Sequence, residues 1–284
     1  MVQNKIMGVG VALITPFNNF EVDYPALERM VEHVITGGVD YIVALGSTAE
    51  TATLSLEERQ QVYDFIVEHT AGRVPIVVGM GGNNTHELVE QLHTFDMHDA
   101  VAILSVVPYY NKPSQEGIFR HYMAVAEASP VPVILYNVPG RTGVNMTAAT
   151  TLRLAHASDK FVAVKEASGS IEQMQEIIDG KPENFLVISG DDGITVELIK
   201  RGGVGVISVA ANTFPERFCR CIHNAMEGFT EPIALLFREG NPTGAKTMAA
   251  VMGLTRDEVR LPLVEGTETL REDIKIAVAK YDLK

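Results

Sequence analysis

The sequence predicts an α/β protein, a (β/α)8 TIM barrel with a small C-terminal helical appendage. Three observations predict it. Eight short apolar runs rich in β-branched residues recur down the chain. Stretches of helical length and spacing lie between them. The runs are apolar throughout instead of alternating, the pattern of strands covered on both faces. Strands alternating with helices imply parallel pairing through right-handed crossovers. Eight such units favour a closed barrel over an open sheet, a choice that six would leave undecided.

The apolar runs are Gly8–Phe17, Tyr41–Gly46, Pro75–Gly81, Val101–Tyr109, Val131–Val138, Phe161–Ala167, Phe185–Asp191 and Val204–Ala210. Helical spacing fills Tyr24–Ile35, Leu56–His69, Thr85–Phe95, Gln115–Ala128, Thr147–Ala157, Ser170–Asp179 and Gly193–Arg201. Ser55 and Glu58 make the S-x-x-E pattern of a capping box. Asn84 or Thr85 and Ser114 stand where further N-caps belong. Gly37–Gly38 and Gly202–Gly203 read as helix stops before strands. After Ala211 the strand pattern ends. Pro215–Met226, Pro232–Phe237, Thr243–Met252 and Glu268–Ala279 are helix-like, so residues 1–227 are expected to form the barrel and 228–284 the helical region. No low-complexity linker divides them.

Composition narrows the function. A 284-residue chain with 46% hydrophobic and 21% charged residues has the make-up of a globular protein with a large core. A formal charge of −13 argues against nucleic acid or an anionic membrane as partner, though not against a small anionic substrate. Cys219 and Cys221 lack companions at zinc-ligand spacing and sit awkwardly for a mutual disulfide, so two reduced thiols are expected. With no signal-peptide pattern and no run of transmembrane length, a cytoplasmic location is expected.

The most informative stretch is Phe161–Ser168, FVAVKEAS. Burying an ammonium without partners in a strand is costly. A lysine held in a dry pocket at a strand's C-terminal end is a nucleophile candidate; a Lys165 that snorkels to solvent or pairs with Glu166 is the plainer reading. Neighbouring strand residues face opposite ways, so Lys165 and Glu166 cannot both face a barrel interior.

Barrel enzymes carry their catalytic groups at the C-terminal ends of strands. The second strand ends in Gly46-Ser47-Thr48-Ala49-Glu50-Thr51, a turn suited to cradling a carboxylate or phosphate, or a plain capped turn. The fourth ends in Tyr109-Tyr110-Asn111-Lys112, which equally suits a rim or an interface. The fifth ends in Tyr136-Asn137-Val138-Pro139-Gly140-Arg141; arginine suits bidentate carboxylate recognition, against a surface ion pair of little worth. The seventh ends in Gly190-Asp191-Asp192, where two acids disfavour a phosphorylated substrate and read best as an N-cap and first-turn acid. Gly79–Asn84 does not complete a dinucleotide fingerprint. His86, His93 and His98 lack zincin spacing and read as helix-surface residues, and Met248 and Met252 as packing. A site of Lys165, Tyr136, Ser47 or Thr48, and Arg141 has one coherent use: the amine forms a Schiff base with a ketone, hydroxyls pass protons, the turn holds a carboxylate and the arginine a second one. Neither cofactor nor metal is required.

These motifs carry a resemblance. GSTAET, YYNKPSQEG, YNVPGRTG, VAVKEAS, SGDD and GVISVAAN, in that order between Gly8 and Asn212, and then NPTGAK and RLPL, resemble the dihydrodipicolinate synthase family of the pyruvate-dependent class I aldolases. The resemblance implies that Lys165 forms the imine with pyruvate, with Tyr136 as proton relay and Ser47 and Tyr110 completing a hydroxyl chain. It implies that the Ser47–Thr48 turn holds the pyruvate carboxylate, that Arg141 binds L-aspartate 4-semialdehyde, and that Gly190 and Ile207 line the pocket. It further implies the committed step to diaminopimelate and lysine, and a homo-oligomer, a tight dimer sharing Tyr110 that pairs into a tetramer. Three departures stand out. Position 47 is serine where threonine is common. Asn83, Glu87 and Tyr109 match the lysine-inhibition site, but Leu56 and Arg59 replace histidines, so weak or absent feedback is expected. The segment between Asn212 and Asn241 is about a helix shorter than usual. The competing readings are a sister aldolase, such as N-acetylneuraminate lyase or a keto-deoxy-sugar-acid aldolase, and a barrel that binds ligand without catalysis.

Overall fold

Eight parallel strands follow one another in sequence order around a closed barrel in the computed structural model, which describes residues 2–283. They are β1 (Gly8–Ala12), β2 (Tyr41–Ala44), β3 (Ile76–Gly79), β4 (Ala100–Val106), β5 (Val133–Asn137), β6 (Phe161–Glu166), β7 (Leu186–Ser189) and β8 (Gly205–Ser208). The helices are α1 (Tyr24–Thr36), α2 (Leu56–Thr70), α3 (Thr85–Thr94), α4 (Gln115–Ala128), α5 (Pro139–Thr142), α6 (Ala148–Ala157), α7 (Ile171–Gly180), α8 (Thr195–Lys200), α9 (Pro215–His223), α10 (Thr230–Phe237), α11 (Thr243–Val251) and α12 (Glu268–Lys280). The fold class expected from the apolar runs is therefore the one observed. Every residue of β2, β5, β6, β7 and β8 is buried, as strands covered on both faces require.

By its contacts the chain divides into two units. Residues 2–7 and 75–207 form one, with β3 to β7 and most of β8. Within it β5 and β6 pair so that Tyr136 lies beside Lys165 and Asn137 beside Glu166, while β7 sets Ile188 beside Lys165. Residues 8–74 and 208–283 form the other, holding β1, β2 and the helices from α9 onward. There Gly10 pairs with Tyr41, whose ring lies where a side chain at position 10 would be; an added Cβ would stand 2.2 Å from it. Within the same unit α11 packs on α10 and α12.

Local chemistry sets the helix starts. Ser55 and Glu58 form the reciprocal capping box, and Ser114, Thr147 and Ser170 each accept a backbone N–H from their own first turn. The helix after β7 begins later than its acids imply. Its N-cap is Ile194, and Asp191 instead accepts from Gly193 N at 2.8 Å within the preceding turn. The Pro-Gly sequence after β5 is itself helical, a single turn from Pro139 to Thr142. Proline preset at the first helical position explains it.

Candidate active site

Lys165 sits at the penultimate position of β6, with 6% of its surface exposed. Its neighbour Glu166 turns to the opposite face, toward Gln173 of α7. Alternation therefore aims Lys165 into the barrel. Its Nζ lies over the ring of Tyr136, 4.4 Å from the centroid, and Tyr136 is itself buried. The parallel register puts both on one face. Among the described residues no carboxylate pairs with Lys165. The amine is buried and lies over an aromatic face, an arrangement that suits a nucleophile and is not a structural ion pair.

Gly190 lies against the Lys165 stem. Its N–H donates to Glu166 O at 2.8 Å, closing β7 onto β6. A Cβ at 190 would lie 3.1 Å from Lys165 Cε and 2.6 Å from Ala167 Cβ. The glycine is thus the clearance for the lysine stem. Gly190→Ala is expected to cost about 1–3 kcal/mol through overpacking and to lower kcat about 10- to 100-fold by displacing the amine. Thermal melting and steady-state turnover measure the two effects separately. Ile207, in β8, is buried at 1% exposure.

Arg141 is exposed on α5, four residues beyond the end of β5. The Tyr109–Tyr110 loop docks against the same turn, where Tyr110 N donates to Thr142 O at 3.3 Å, and against the loop after β3, where Asn83 Nδ2 donates to Tyr109 O at 3.2 Å. Tyr110 adopts φ +72° and is 87% exposed, a phenol presented outward by a conformation that non-glycine residues seldom adopt.

In the other unit the expected carboxylate-binding turn is a 3-10 helix, Ser47–Ala49. Ser47 is exposed and Thr48 buried. Thr48 Oγ1 accepts from Asn241 Nδ2 at 2.8 Å. The turn ends on Glu50 in the left-handed region. Glu50 Oε1 lies 2.5 Å from Lys246 Nζ, both side chains essentially unexposed, and Oε2 accepts from Arg260 N at 2.9 Å. Burial lowers the Lys246 ammonium to about 8 against the opposing pull of Glu50. NPTGAK and RLPL, to which the sequence gives no role, thus anchor this turn. His86 and His93 are exposed on α3, as read from the sequence; His98 is exposed in the turn after it.

Sequence reasoning overlooks one group near Lys165. The Glu166 carboxylate accepts from Asn137 Nδ2 at 3.0 and 3.1 Å, Ser168 N at 2.8 Å and Gln173 Nε2 at 3.0 Å. Burial raises its pKa, and these hydrogen bonds oppose the rise. Only the register of β5 and β6 brings its members together.

The chain is similar to known proteins along nearly its whole length. The Dihydrodipicolinate synthetase family profile matches residues 5–281. A curated 4-hydroxy-tetrahydrodipicolinate synthase of Parabacteroides distasonis is 51% identical over 296 aligned residues, covering all of both chains. A dihydrodipicolinate synthase structure from Aquifex aeolicus superposes with a TM-score of 0.93 at 38% identity, over 98% of this chain and 99% of that one. A chloride-inhibited dihydrodipicolinate synthase from Acinetobacter baumannii, solved with pyruvate, gives 0.92 at 38% identity, over 98% of this chain and all of the other.

Proposed function

The chain belongs to the dihydrodipicolinate synthetase family, and from that premise we infer that it condenses pyruvate with L-aspartate 4-semialdehyde to 4-hydroxy-tetrahydrodipicolinate, the entry to diaminopimelate and lysine. The observation that carries the reading is the buried amine of Lys165 lying on the ring of Tyr136, with no carboxylate paired to it among the described residues.

The chemistry follows from that amine. Lys165 Nζ attacks the keto carbon of pyruvate, and the carbinolamine loses water to give an imine. The imine withdraws electrons, so a methyl proton leaves and a nucleophilic enamine forms. Its carbon attacks the aldehyde, the acceptor's amino group then attacks the imine carbon, and Lys165 is released as the ring closes. Tyr136, beside the amine, is assigned the proton transfers. The hydroxyls of Ser47 and Tyr110 extend the relay, the Ser47–Thr48 turn takes the pyruvate carboxylate, and Gly190 and Ile207 line the pocket. No cofactor enters, because the imine supplies the electron sink. The outward phenol of Tyr110 supports a role across the interface of a tight dimer, itself pairing to a tetramer. A biosynthetic step on two metabolic acids fits the cytoplasm.

Arg141 is assigned the carboxylate of the aldehyde substrate. Arg141→Ala is expected to raise KM for aspartate semialdehyde about 10- to 100-fold, the worth of a charge-assisted hydrogen bond, while leaving pyruvate imine formation unchanged. Steady-state kinetics on each substrate measure this. The synthase and its sister aldolases separate in one comparison: ring-closing turnover with aspartate semialdehyde is expected and retro-aldol cleavage of N-acetylneuraminate is not, and the reverse pattern would overturn the assignment.

Lysine feedback is expected to be weak or absent. The guanidinium of Arg59 donates to Thr51 O at 2.8 Å and Leu54 O at 3.2 Å, which fixes a positive charge at a position where the resemblance implies a histidine. Inhibition of turnover by sub-millimolar lysine would refute this.

A further inference from the structure

We propose that Asn137 and Glu166 are positioning residues, which from the outer face of β5 and β6 fix the register that lays the Lys165 amine on the Tyr136 ring on the inner face. This rests on Lys165 being the imine-forming lysine.

The two pairs are consecutive. Tyr136 is registered with Lys165, and Asn137 with Glu166 one residue later. A slip of one residue would turn either member of the inner pair to the wrong face. Backbone ladder bonds alone do not distinguish one register from its neighbours, because each register satisfies them. Side chains must do so. The pairing shows an irregularity between Val133 and Ile134, so this ladder already departs from ideal at its far end. At the catalytic end, the Asn137 amide spans both oxygens of Glu166. Both side chains are fully buried.

The clamp reaches further than one pair. Asn137 Oδ1 accepts from Met146 N at 2.9 Å, and its Nδ2 also donates to Asn145 Oδ1 at 2.7 Å. Asn145 Nδ2 donates to Gln173 Oε1 at 2.8 Å, and Gln173 returns to Glu166. Ser168 N, in the turn directly after Lys165, donates to Glu166 Oε1. One carboxylate thereby holds the strand carrying Lys165, the turn that follows it, α7, and the loop that leaves the Arg141-bearing helix α5. The groups that hydrogen-bond the carboxylate are neutral donors: the N–H groups of Asn137, Gln173 and Ser168, and the Ser168 hydroxyl. Among the described residues no cation pairs with it. An acceptor-only anion satisfies that ring of donors, whereas an amide of the same shape turns a donor toward donors. A carboxylate kept in such a place without a counter-ion is costly, which argues for a task that an apolar pair would not perform.

Glu166→Gln tests the idea, with kcat, both KM values and the rate of borohydride-trapped pyruvate adduct formation measured beside thermal melting. In the folded variant kcat and the trapping rate are expected to fall together, about 10- to 100-fold. KM for pyruvate should move far less, and peptide mapping should still find the adduct on Lys165. Wild-type kcat and trapping in a folded Glu166→Gln variant would overturn the proposal, as would a loss matched wholly by a smaller folded fraction. If that variant does not fold, Gln173→Ala decides, since this side chain is only half-buried. Slower trapping at Lys165 supports the clamp and unchanged trapping overturns it. A wild-type adduct on another residue would instead strike the imine assignment itself, and the proposal with it.

Discussion

Lys165→Met is expected to abolish condensation while leaving the barrel intact. Methionine matches the length of the lysine stem and keeps the pocket beside Tyr136 and Gly190 filled. It carries no amine, so neither imine nor enamine forms. Loss of a covalent nucleophile is expected to lower kcat on the order of 10^4-fold or more. Because the residue is 6% exposed and no carboxylate among the described residues pairs with it, removing the charge leaves nothing uncompensated. The melting temperature should hold or rise. Turnover and thermal melting on the same sample check both halves, and a variant that turns over within tenfold of wild type would sink the assignment.

The opposite balance is expected at Lys246. Its ammonium lies 2.5 Å from Glu50, donates to Glu258 O at 2.8 Å and sits 4.0 Å from the centroid of the Phe17 ring. Lys246→Met strands a buried carboxylate, which costs about 3–5 kcal/mol. The melting temperature should fall by roughly 10 °C. Adding Glu50→Gln removes the orphaned charge and should return much of the loss, so a double variant as unstable as the single one would contradict this account. Glu50 closes the Ser47–Ala49 turn, so the single variant should also bind pyruvate more weakly.

What the sequence conveys and what it hides divide along physical lines. The strands are legible because burial on both faces leaves runs such as Val133–Asn137 almost wholly apolar. Lys165 is legible because a cation in such a run is conspicuous. The capping box at Ser55 is legible because both partners lie within one turn. The Asn137–Glu166 clamp is not, since its members are common residues on separate strands that only the register unites. Glu50 and Lys246 stay hidden for the same reason: nothing local marks either as buried. Pro139-Gly140 reads in the sequence as a turn, and that the turn is helical goes unread because Pro-Gly marks a change of direction without its kind, although proline also suits a first helical position. Asp191 misleads because an acid just before a helix reads as its cap, whereas here it serves the turn that precedes it.

The central claim is that one buried amine captures a 2-keto acid. Borohydride reduction in the presence of pyruvate, followed by peptide mass mapping, tests it most directly. A single reduced pyruvyl adduct on Lys165, absent from Lys165→Met, is the predicted result. No adduct, or one on any other lysine, would contradict it.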